Sequence, residues 1–132
     1  MTLAVRAGAR LPRDPWVVAA SAVRHAALTT DGVAALSESA LYQTQGPGQS
    51  VRGVAVTRGT LGAPRISVGV IVDADIAADP DRLAGVCRRV RAASGAAWAR
   101  AMRRDRDGPR IAPVTVHVVD ISHAATASSP AV

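Results

Sequence analysis

Residues 65–77 read RISVGVIVDADIA. Ile66, Val68, Val70, Val72, Ala74 and Ile76 alternate without a miss, the two-residue period of a half-buried strand, while Arg65, Ser67, Gly69, Asp73 and Asp75 point the other way. The spacing predicts one long strand with an aliphatic inner face. It also decides how the acidic run DADIAADPD at 73–81 is read. Clustered carboxylates can hold Ca²⁺ or Mg²⁺, but here Asp73 and Asp75 fall on the outer strand face. Asp79 precedes Pro80 and an apolar-periodic run, the position of a helix cap, with Asp81 in the first turn, where the helix dipole favours it. An EF-hand loop needs a glycine at its sixth position and a glutamate at its twelfth, and neither is present. No metal or other cofactor is expected.

Upstream, VRGVAVTR at 51–58 reads as a strand, and the six-residue link GTLGAP joins it to the first as an antiparallel hairpin. GVAALS at 32–37 is a short apolar run that fits a small strand. ESALYQTQGPGQS at 38–50 sets two glycines and a proline among polar residues and reads as an exposed loop. Before it, DPWVVAASAVRHAAL predicts a helix over 15–28, with Asp14 accepting from the first free amides and Pro15 at N1. Trp16, Ala20, Val23 and Ala27 form its inner stripe, Ser21, Arg24 and His25 lie off it, and Gly32 supplies a left-handed residue beyond it.

Downstream, a second helix is predicted from about 80 to 104. Leu83, Val86, Cys87, Val90, Ala97, Trp98 and Ala101 form its apolar stripe, Arg82, Arg89, Arg100 and Arg103 lie away from that stripe, and Gly95 weakens its middle. RDRDGPR is a polar turn, and APVTVHVVDI ends the domain as a strand with Val114, Val116 and Val118 on one face. The fold class is therefore α+β: a small, mostly antiparallel sheet of three to four strands with two helices on one face, in the order α-β-β-β-α-β. That face is built from Val54, Val56, Val68, Val70, Val72, Val114, Val116 and Val118. Residues 1–13 read as a flexible segment, 14–121 as a single domain and 122–132 as a disordered tail.

Composition narrows the function. Of 132 residues 48% are hydrophobic but only 2% aromatic, so the core must be Val, Ala, Leu and Ile. A single cysteine, Cys87, excludes an internal disulfide and a multi-thiolate zinc site, and its place in the apolar stripe makes it a poor nucleophile. The natural compartment is reducing, and no apolar run of about 18 residues spans a bilayer, so a cytoplasmic protein without direct membrane insertion is expected. His25, His117 and His123 have no catalytic or metal-binding spacing. GTLG matches the clamp loop of KH-type RNA binders but joins strands rather than helices, and GPGQ lacks the lysine of a phosphate loop.

The net charge of +6 points to an anionic partner, although all sixteen basic residues are arginine, as GC-rich coding alone produces. Arg82, Arg89, Arg100 and Arg103 are the candidate face for such a partner, nucleic acid included. The strand faces offer no aromatic for base stacking.

A helix followed by Gly32-Val33, a second Gly53-Val54 opening a strand, ISVGVIVDADI, VCRRVRAA and a terminal VTVHVVDI together resemble the alkaline shock protein family of bacterial envelope-stress proteins. The resemblance covers about residues 14–121. It implies a non-enzymatic, self-associating scaffold without catalytic residues, held at the cytoplasmic side of the membrane by a small membrane-anchored protein partner. With both helices on one face, the other face stays open. Gly69, Ala55, Thr57, Ile71, Thr115 and Val119 make it small and partly apolar, a surface suited to a homo-oligomer or partner contact.

Overall fold

The computed structural model describes residues 14–59, 62–103 and 112–123. The elements run α1 (Pro15–Leu28), β1 (Val33–Leu36), β2 (Gln43–Gly46), β3 (Gln49–Arg52), β4 (Val54–Arg58), β5 (Pro64–Asp73), α2 (Ala74–Ala77), α3 (Pro80–Met102) and β6 (Val114–Ser122). The class is α+β, with a hairpin and a short helix added to the predicted order.

β5 is the central strand, as its alternation requires. Along one edge it pairs antiparallel with β4, from Val54↔Val68 to Arg58↔Pro64, and then with β1, from Leu36↔Val70 to Val33↔Val72. Along the other it pairs parallel with β6, from Ile66↔Val114 to Asp73↔Ser122. A parallel neighbour needs a crossover, which α2, α3 and the residues after them supply. Ile66, Val68, Val70 and Val72 are almost wholly buried and meet α1 and α3 through Val23, Val86, Val90, Trp98 and Met102. The rings of Trp16 and Trp98 meet edge to face at 6.3 Å, and the Arg58 guanidinium lies 4.7 Å over Trp16.

Both Asp-Pro caps form. Asp14 accepts from Trp16 N at 2.9 Å, and Asp79 accepts from the amides of Asp81 and Arg82 at 3.0 and 3.3 Å. α3 runs unbroken through Gly95.

Six local readings change. β5 stops at Asp73, where the chain turns into α2, so Ala74 and Asp75 are helical and Ile76 reaches the core from the helix. A period of two and one helical turn bury the same isoleucine, which is why alternation overran the strand end. Residues 43–52, mostly read as loop, form the β2–β3 hairpin, closed by Pro47 and Gly48 (φ 68), the residue pair a type II turn favours. The stretch 51–58 is not one strand. Gly53, at φ 92, divides it so that β3 leaves the main sheet for β2. Val118, expected inside, is 39% exposed, because the core reaches Val114 and Val116 and stops short of it. Cys87 is half-buried rather than buried. Ser122, placed in the tail, belongs to β6; the polar turn 104–110 and the segments 1–13 and 124–132 lie outside the described residues.

Ser94 is fully buried in α3, and its hydroxyl has no hydrogen-bond partner among the described residues. A buried polar group left unpaired costs about 1–3 kcal/mol. Ser94→Ala should therefore raise the unfolding free energy by about 1 kcal/mol in urea denaturation; a comparable loss would contradict this packing. Val70→Asp, which buries an unpaired carboxylate under α1 and α3, should abolish folding, as judged by near-UV circular dichroism. Asp73→Ala should change stability by no more than about 0.5 kcal/mol, because Asp73 precedes α2 without a side-chain capping bond.

Candidate interaction surface

The sheet face away from the helices is closed at its centre. Ser37 N donates to Gly69 O at 2.8 Å, Gly69 N to Gly53 O at 3.0 Å and Gly53 N to Tyr42 O at 2.7 Å. These bonds lay residues 37–42 across the face, and the Tyr42 ring fills the space a side chain at 69 would take. A Cβ there would stand 2.9 Å from the ring and 3.0 Å from Ser37 Cβ. Tyr42 then reaches β6, where its hydroxyl is hydrogen-bonded to His117 Nδ1 at 2.8 Å with the rings edge to face at 5.5 Å. Gly69 is thus buried rather than open, and Ala55 is buried as well. No aromatic had been expected on this face, because Tyr42 sits in a segment read as loop.

The other predicted contact residues separate. Thr57 and Thr115 are exposed and Ile71 is half-buried. The pairing of β5 with β6 passes from Val70↔Val118 to Ile71↔Asp120, so Val119 is skipped and projects from an irregularity in the strand. The surface that emerges instead is β6 itself. Its inner edge lies along β5, and no described element pairs with its outer edge. Val118, Val119 and Ile121 are 39, 40 and 40% exposed within four residues of one another. Apolar side chains beside unpaired strand N–H and C=O groups form a surface on which another chain can add.

The four arginines do not form one face. Arg82 pairs with Asp75 at 3.7 Å and Arg89 donates to the Asp31 carbonyl at 3.4 Å. Together with Arg88, Asp73 and Asp81 they line a cleft of about 580 Å³ in which carboxylates outnumber guanidiniums. Arg100 instead lines a groove between α1 and α3, and Arg103 is exposed at the end of α3. The described residues hold ten arginines against eight carboxylates, so most of the net charge lies outside them. Among the described residues no three His, Cys, Asp or Glu side chains gather as metal ligands do, and no helix is long and apolar enough to cross a membrane. His25 lies on α1, and His117 is engaged by Tyr42.

No protein-family model, curated protein or solved structure matches the chain.

Replacing a strand glycine with alanine ordinarily gains about 0.5–1 kcal/mol, so the sign at position 69 is diagnostic. Gly69→Ala should lose about 1–3 kcal/mol in chemical denaturation, the cost of overpacking against the Tyr42 ring. In the Tyr42→Ala background the same substitution should become neutral or stabilising; equal losses in both backgrounds would show that Tyr42 does not occupy this space.

Proposed function

We infer that the chain is a non-catalytic scaffold of the envelope-stress type that self-associates and acts through protein contacts at the cytoplasmic side of the membrane. The observation that carries this reading is the outer edge of β6, with Val118, Val119 and Ile121 exposed beside it. The alkaline shock resemblance points the same way. Two of the glycines that carry it, Gly32 and Gly53, stand at φ 98 and 92, where a side chain would be strained and a Cβ would come within 2.6 Å of Val86 and 2.5 Å of Leu36 respectively. These positions therefore depend on glycine for a physical reason, which makes the motif more telling than its composition suggests. Attachment to the membrane belongs, in this reading, to a small membrane-anchored partner.

Light scattering at roughly 100 μM, above the dissociation constants of weak specific contacts, should show a species larger than the monomer. Val119→Lys places a charge on the exposed edge without touching a β5 partner, and should return the protein to monomer with an unchanged circular dichroism spectrum. A wild-type monomer at that concentration overturns the reading. So does tight binding to DNA or RNA that falls steeply with salt, the signature of counterion release by phosphate contacts.

A further inference from the structure

The groove between α1 and α3 differs in chemistry from the acid-rich cleft at the other end of α3. Ala22 and Ala26 on one helix and Ala97 and Ala101 on the other line it, each pair one turn apart, and Val18, 38% exposed, closes one side. Its volume is about 340 Å³. His25 and Arg100 stand in its lining with no carboxylate among the described lining residues, and Arg103 follows within one turn of Arg100. Among the described residues Arg100 has no carboxylate partner, unlike Arg82. The groove is thus apolar at its base and cationic at its rim.

That pairing restricts what can fill it. Alanine walls allow the close backbone approach of a further helix, at the usual 8–10 Å between axes. A helix satisfies its own backbone hydrogen bonds, whereas an extended strand laid against two helices would bury N–H and C=O groups with no partner. This disfavours the β6 edge of a second copy, although Asp120 there carries the right charge. Residues 1–13 of the chain are disfavoured by charge, since they hold three arginines and no carboxylate.

The geometry points to this groove as the docking site for an amphipathic helix of a partner protein, one with small apolar side chains on its inner face and an Asp or Glu that meets Arg100. The assignment rests on the reading of the chain as a module that works through protein contacts, and names the chemistry of the partner. It uses a surface separate from β6.

The test uses the full chain labelled with ¹⁵N and two designed amphipathic peptides of about 18 residues, five helical turns, sharing one Leu/Ala stripe but flanked by Glu in one and Lys in the other. The Glu peptide should shift the amides of Ala22, Ala26, Ala97 and Ala101, and the Lys peptide should not. Arg100→Glu should weaken the Glu peptide by at least about tenfold and favour the Lys peptide, while light scattering reports unchanged self-association. Groove amides that stay unshifted up to about 1 mM peptide, equal binding of both peptides, or groove shifts produced by protein concentration alone would each overturn the assignment. Loss of groove binding with self-association intact removes this inference only. A monomer that still binds the Glu peptide removes the β6 reading only.

Discussion

A Cβ at position 53 would stand 2.5 Å from the Leu36 side chain, and one at position 69 would stand 2.9 Å from the Tyr42 ring. Two missing side chains therefore let the chain from Leu36 to Tyr42 and the β2–β3 hairpin settle against the sheet. The backbone bonds that link Ser37, Gly69, Gly53 and Tyr42 in series follow from that approach, and each satisfies a group that would otherwise be buried unpaired. Thr44 extends the same seam, its hydroxyl donating to the Val54 carbonyl at 2.7 Å. Gly53 performs a second task at once, since its left-handed conformation is what directs β3 away from the main sheet. The hairpin, the division of β3 from β4 and the covering of Gly69 all depend on these two positions.

Closing the middle of the outer face moves the open surface elsewhere. A flat, two-sided sheet would have presented Ala55, Gly69 and Ile71 together. With Tyr42 laid over Gly69 and bonded to His117, the exposed apolar side chains that lie close together are instead Val118, Val119 and Ile121 at the far end of β6. There the strand skips Val119 in its pairing with β5. Irregularities of this kind twist an edge and favour one way of approach over indiscriminate pairing. An edge that is apolar yet irregular suits a specific contact better than open-ended aggregation.

Much of this was legible in the chain because the decisive signals were local. Alternation from Ile66 to Val72 fixed the central strand and its inner face, and the two Asp-Pro pairs fixed the starts of α1 and α3 within the reach of a single turn. What escaped was set by contacts distant in sequence. β2 reads QTQG and β3 QSVR, mostly polar stretches without apolar alternation to mark a strand, and they pair where α1 and the main sheet hold them together. Arg82, Arg89 and Arg100 do share a stripe at spacings of seven and eleven residues. Yet α2 and Asp31 answer the first two, while α1 faces the third, so one helical stripe became two electrostatic environments.

The alanine content that lets α1 and α3 pack closely also explains why a groove remains above them. Alanine buries no more than a methyl group, so a helix pair lined with it fills the sheet side of its contact through Val23, Val90 and Trp98 and leaves the solvent side shallow. Composition alone accounts for the hollow. It does not account for the placement of charge around it. Among the described residues the carboxylates near α3 lie at its start, where Asp75, Asp79 and Asp81 serve an ion pair, the cap and the dipole respectively, whereas its last turn carries arginine alone. A basic last turn is favourable for any helix, but Arg100 lies beside an apolar hollow rather than facing bulk solvent on every side. Apolar contact and a carboxylate must therefore arrive on the same ligand to use both features.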